Sequence, residues 1–124
     1  MIAYLWVSIG AVVGACMRYF VSRLASKLLS PDFPYGTLLI NVSGSFILGW
    51  FMIWTTERVL ADVRWRLLVA VGFCGSYTTM SSYAFETFAN FEQGHWVIPA
   101  LNIVSNNLLC LLAVVAGAAI ARAI

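Results

Sequence analysis

Uncharged hydrogen-bonding residues at helical spacing carry most of the chemistry available to this chain. Asn102, Asn106 and Cys110 stand at i, i+4 and i+8, with Ser105 and Asn107 beside them and Pro99 just before, so two amides line one face of a helix. Thr37 and Asn41 share a face in the same way, followed by Ser43 and Ser45. The longest polar run lies between them in sequence: Gly72-Phe73-Cys74-Gly75-Ser76-Tyr77-Thr78-Thr79-Met80-Ser81-Ser82-Tyr83-Ala84-Phe85-Glu86. An amide offers two donors and a carbonyl acceptor, and a hydroxyl one donor and two lone pairs. Such groups solvate a passing ion or join helices by hydrogen bonds, and for Asn41 and the asparagine line both roles stay open. Catalysis finds no support. No His neighbours a Ser or Cys nucleophile, no central carboxylates pair, and no metal-ligand cluster is visible. Cys16, Cys74 and Cys110 lie in apolar stretches without Cys-x-x-Cys spacing and read as small hydrophobes.

The elements that must position these groups follow from composition. Of 124 residues, 10% are charged and 62% hydrophobic, and mean hydropathy is +0.91, whereas a globular domain is roughly a quarter charged. The solvent is therefore lipid. A net charge of +2, with scattered cations, also argues against a nucleic-acid partner. A span needs about 20 apolar residues, and the charges divide the chain into four: 2–23, 35–55, 66–90 and 96–121. Trp6, Trp54, Trp65 and Trp96 fall near span ends, as an interfacial aromatic belt places them. The expectation is a single all-α transmembrane domain, 1–124, with both termini on one side. Met1-Ile2-Ala3-Tyr4 lacks a basic n-region, so the first segment is expected to stay as a membrane helix.

Charge also bears on orientation. Arg58, Arg64, Arg66 and Arg122 fall on the side of the termini and Arg18, Arg23 and Lys27 on the other, four against three. Orientation follows an excess of Lys and Arg on one side, so this near balance predicts insertion both ways and pairing as an antiparallel homodimer. Three stripes of small residues at four-residue spacing, Gly10 and Gly14, Ser45 and Gly49, and Ala113, Gly117 and Ala121, let helix backbones approach closely. They suit a dimer interface and packing within one chain equally.

Polar groups at bilayer depth require a partner or a wet cavity. Arg18, inside the first stretch, either snorkels to the interface or forms an anion-attracting vestibule. Glu86 lies toward the end of its span, away from the place of a central proton relay. The midpoint between Arg66 and Asn90 is residue 78, and glycines with hydroxyl and β-branched residues weaken a helix there. A break is predicted between Gly75 and Thr79. Unwound backbone at that depth must face protein or water, and its carbonyls can bind an ion; a Gly-containing kink is the plainer alternative.

Three motifs in order now define a resemblance: Gly10-x-x-x-Gly14-x-x-x-Arg18-Tyr19; Gly36-Thr37-Leu38-x-x-Asn41-x-x-Gly44-Ser45-Phe46-x-x-Gly49; and Gly72-Phe73-Cys74-Gly75-x-x-Thr78-Thr79-x-Ser81 with Glu86 after it. Over nearly its whole length the chain resembles the Fluc (CrcB) fluoride channels of bacteria. The resemblance implies an antiparallel, dual-topology homodimer in the inner membrane, its two pores releasing cytoplasmic fluoride passively and protecting the cell from it. It implies a structural sodium ion, Na+, at the dimer centre, held by backbone carbonyls of Gly75 and Thr78 from both subunits. It makes Asn41 an anion donor, places Arg18 near the vestibule, and makes the third-helix hydroxyls Thr79, Ser81 and Ser82 part of a polar track. With Thr37, Asn102 and Asn106 these form the expected fluoride pathway. The family's pore phenylalanines fall at Met80 and Tyr83. Tyr83 keeps an electropositive ring edge, whereas Met80 supplies only a flexible thioether, a departure that predicts altered conduction. The alternative is a small multidrug-resistance-type proton-coupled exporter, which needs a membrane-embedded carboxylate; Glu86 alone lies within a span.

Overall fold

Apolar runs longer than the bilayer is thick fold as helices, because every backbone N–H and C=O must be satisfied without water. In the computed structural model, which describes residues 1–124, α1 runs Ile2–Leu28 and α2 runs Tyr35–Ile53. One wide π-helical turn, Trp54–Arg58, extends α2. The third stretch is composite. A short α3, Val63–Arg66, is capped by Asp62, whose side chain accepts the Arg64 N–H at 2.8 Å; a π-helical segment, Leu67–Cys74, leads into α4, Gly75–Tyr77. After two extended residues come α5, Met80–Glu92, and α6, Val97–Ala123. Helices Ile2–Leu28, Tyr35–Arg58 and Val97–Ala123 are each long and apolar enough to cross a membrane, at about 1.5 Å per residue. The remaining stretch is two half-helices.

Charge does not mark the helix ends. Arg23 and Lys27 lie inside α1, because long basic side chains reach the headgroups while their backbone stays helical. The third stretch likewise starts at Val63, ahead of the expected residue 66, since Asp62 supplies a cap.

The small-residue stripes pack within the chain. A Cβ added at Gly10 would stand 2.0 Å from the Leu68 carbonyl oxygen, one at Gly14 2.3 Å from that of Phe73, and one at Gly72 2.5 Å from that of Val7. Helix α1 therefore lies backbone to backbone on segment 67–74. Between α2 and α6 a Cβ at Gly49 would meet the Val114 carbonyl oxygen at 2.5 Å and one at Gly117 that of Phe46 at 2.4 Å, and Ala113 and Ala121 are buried in the same seam. Close approach adds dispersion contacts, the main attraction available between helices in lipid.

At the far end of α2, Arg122 grips Glu57 with two N–H donors at 3.1 and 3.0 Å. Arg58 donates to the Arg122 carbonyl. Both side chains of the ion pair are exposed, so it fixes the α6 terminus more than it stabilises the fold.

Candidate functional site

The site starts from the break. Thr78 and Thr79 are extended, with ψ of 158° and 111°, and Thr79 caps α5 by accepting the Ser82 N–H at 3.1 Å. The break thus falls inside the predicted window, and of the two causes expected there, glycines and hydroxyl or β-branched residues, only the second acts. Gly72 and Gly75 remain helical; the threonines leave the helix, one of them exploiting the preference of hydroxyl side chains for caps. Asn41 then fills the gap. Its Oδ1 accepts the Thr79 N–H at 2.8 Å, and its Nδ2 donates to the Thr79 carbonyl at 3.2 Å, replacing a strand-like partner with one side chain. In an unbroken helix the Thr79 N–H would go to the Gly75 carbonyl. Given to Asn41 instead, it leaves that carbonyl without its usual donor, at an exposed residue where an added Cβ would meet nothing within 4 Å.

From Asn41 a chain of hydrogen bonds runs head to tail through three helices. Asn41 Nδ2 donates to Asn106 Oδ1 at 3.1 Å, Asn106 Nδ2 to Asn102 Oδ1 at 2.7 Å, and Asn102 Nδ2 to Thr87 Oγ1 at 2.9 Å. Thr87 closes it by donating to the Tyr83 carbonyl at 2.7 Å. Asn102, Asn106, Thr79 and Thr87 are buried, so every link matters energetically. The asparagine line therefore fastens three helices together, and of its two amides only Asn106 reaches a cavity.

Beside this ladder lies a cavity of about 310 Å³, lined by Asn41, Ser45, Thr78, Thr79, Met80, Tyr83, Asn106, Asn107 and Cys110 among others. Its polar lining is wholly uncharged. Tyr83 Oη accepts from Asn107 Nδ2 at 3.4 Å, leaving its own O–H to donate into the space. Thr79 donates to Ser82 Oγ at 3.0 Å and contacts Ser81 Oγ at 3.3 Å, so the three hydroxyls cluster at the α5 start. Met80 is 73% exposed; one chain walls this cavity on one side only.

A second, polar cavity of about 220 Å³ opens near the start of α2, between Ser22, Ser26, Ser30, Tyr35, Thr37 and Glu86. Thr37 Oγ1 donates to Glu86 Oε1 at 2.7 Å and marks its inner end. One turn of α2 separates Thr37 from Asn41, so the two cavities lie along one line.

Of the expected site residues, Asn41, Thr78, Thr79, Met80, Tyr83 and Asn106 line the first cavity and Thr37 the second. Ser81, Ser82 and Asn102 line neither but are hydrogen-bonded to residues that do, whereas Arg18 lines neither cavity and bonds to none of them. Ser45, Asn107, Cys110, Thr87 and Glu86 join the site beyond those expected. The signal was present for Ser45, one turn beyond Asn41 on the same face, and for Cys110, third in the line that starts at Asn102. Glu86 stood out as the one carboxylate within a span, though not its partner Thr37; Thr87 gave none, because its partner Asn102 comes from another helix.

Fold and site together define a multi-pass helical membrane protein that threads an uncharged polar track past a broken span. The chain belongs to the CrcB-like protein family, Camphor Resistance (CrcB), whose model matches residues 5–118. It is 57% identical over 121 residues to the fluoride-specific ion channel FluC of Koribacter versatilis, covering 98% of this chain and 96% of that one. It is 46% identical over 119 residues to FluC of a Sulfurihydrogenibium species, covering 96% of each, and 40% identical over 124 residues to FluC of Rhizobium etli, covering 100% and 99%.

Proposed function

We propose that this chain is a fluoride-selective channel that passively releases fluoride from the bacterial cytoplasm across the inner membrane, and that it acts as an antiparallel, dual-topology homodimer with two pores. The observation that carries this reading is the uncharged donor-lined cavity standing against the Asn41–Asn106–Asn102 ladder at the broken span. Fluoride holds its water tightly, so a path must replace that shell with close donors. The hydroxyls of Ser45 and Tyr83 are placed for this, while Asn107 spends its N–H groups on Tyr83 Oη and the Ile103 carbonyl. Asn41 already spends its N–H groups on Thr79 and Asn106. It serves the anion by exchanging one of those acceptors for it. No formal cation lines the cavity, so the ion meets no deep trap and leaves again; Arg18 acts at a distance, raising the local anion concentration.

The exposed Met80 supports pairing, because a second copy would complete the wall this chain leaves open. The same holds for Gly75. Its freed carbonyl, with that of Thr78, fits a Na+ site completed by the same two carbonyls of the partner, and bound there the ion would tie two broken helices together. The transporter alternative is weaker. Its exchange needs an accessible central carboxylate, whereas Glu86 is bonded to Thr37 at the outer cavity and lines no part of the central one.

Liposomes loaded with potassium fluoride and triggered with valinomycin test the reading. The expected result is fast fluoride efflux with chloride retained. Met80→Phe, restoring an aromatic edge in the cavity wall, is expected to raise that rate; silence from both proteins would overturn the channel. A compartment-specific reporter fused to either terminus is expected to give signal on both sides of the membrane, and one-sided signal would sink dual topology.

A further inference from the structure

At the end of α2 remote from Thr37 and Glu86, the wide turn 54–58 and the start of the third span enclose a groove of about 360 Å³. Its walls are apolar: Trp50, Phe51, Trp54, Val59, Trp65 and Val69, with Trp50 and Trp54 stacked at 5.5 Å. Its rim is cationic. Arg66 reaches back from α3 to donate from Nη2 to the Thr55 carbonyl, a groove residue, at 3.2 Å, and its Nε is buried with no acceptor in the protein. Arg58, next to Val59, is held by the Arg122 carbonyl. The nearby carboxylates do not neutralise this pair, because Glu57 is committed to Arg122 and Asp62 lies beside Arg64.

We infer that this groove binds an anionic phospholipid, one acyl chain lying along the tryptophans and the phosphate resting against Arg58 and Arg66. The apolar walls alone would select nothing, since lipid tails surround every helix. Selection comes from the rim. Each guanidinium has five N–H donors in a planar fork that matches two phosphate oxygens, and each is already immobilised by one backbone carbonyl. Tryptophans at a span end sit at headgroup depth, which sets acyl chain below and phosphate above at the required height.

Native mass spectrometry of the detergent-purified protein tests this with phosphatidylglycerol and phosphatidylcholine of identical acyl chains. Phosphatidylglycerol is expected to be retained at least fivefold over phosphatidylcholine. Arg58→Gln is expected to lower phosphatidylglycerol retention about fivefold, the worth of one basic residue at an anionic surface, with phosphatidylcholine unchanged. Val69→Trp, which fills the groove and keeps both arginines, is expected to reduce retention of both lipids. Equal retention of the two lipids, or phosphatidylglycerol retention unchanged in both variants, would overturn the inference. So would a Val69→Trp protein that keeps its lipids but loses its dimer, since a second copy would then occupy the groove.

Discussion

Asn41→Ala is expected to lower fluoride efflux about a hundredfold, equivalent to ~2.7 kcal/mol on the barrier, in protein that still inserts. The substitution strips three hydrogen bonds at once, leaving the Thr79 N–H, the Thr79 carbonyl and Asn106 Oδ1 without their partner. Each unsatisfied group costs ~1–3 kcal/mol where water cannot reach it, so the break relaxes and the ladder loses its first rung. Liposome efflux at matched protein density measures the effect. Asn41→Asp keeps one of the three bonds. The aspartate retains an acceptor for the Thr79 N–H but replaces both donors with a negative charge in the cavity wall. Wild-type efflux from Asn41→Asp would mean that Asn41 does not contact the anion.

Gly10→Ala is expected to destabilise the fold severely, an effect as large on stability as Asn41 substitution is on flux. The added Cβ would stand 2.0 Å from the Leu68 carbonyl oxygen and 2.8 Å from the Phe73 nitrogen, and both are backbone atoms that cannot swing aside. Helix α1 would have to lift from segment 67–74, forfeiting the seam. Overpacking costs ~1–3 kcal/mol even where side chains can adjust, and here the obstacle is main chain. Gly75→Ala is the contrast. Nothing lies within 4 Å of its Cβ position and the residue is helical, so alanine there is expected to stabilise the isolated chain by ~0.5–1 kcal/mol. Thermal melting of the monomeric protein in detergent should order the three proteins as Gly75→Ala, wild type, Gly10→Ala. A Gly10→Ala protein melting with the wild type would sink this account of the seam.

Much of this was legible without coordinates because lipid allows few solutions. Scarce charge gave the membrane, clustered charge gave the spans, and hydroxyls at mid-span gave the break. The site was legible as far as residues recur on one helix face: Asn102 with Asn106, Thr37 with Asn41. What sequence could not supply was contact between helices. That Asn41 meets Thr79, that Thr37 meets Glu86, and that Thr87 ends the asparagine line all depend on how four spans rotate about one another. The glycines show the same limit. Their spacing announced close approach, yet whether the neighbour was another part of the chain or another copy was decided only by the carbonyls facing them.

The amide ladder has a further property. It begins at a backbone N–H, that of Thr79, which can only give a proton, and ends at a backbone C=O, that of Tyr83, which can only receive one. Turning any single asparagine end for end would set N–H against N–H, so all three are locked in one sense. The track is therefore handed, and an ion travelling up it meets a different order of partial charges from one travelling down. In the proposed pair of inverted copies one track would point each way, so any preference of a single pore for inward or outward current would cancel.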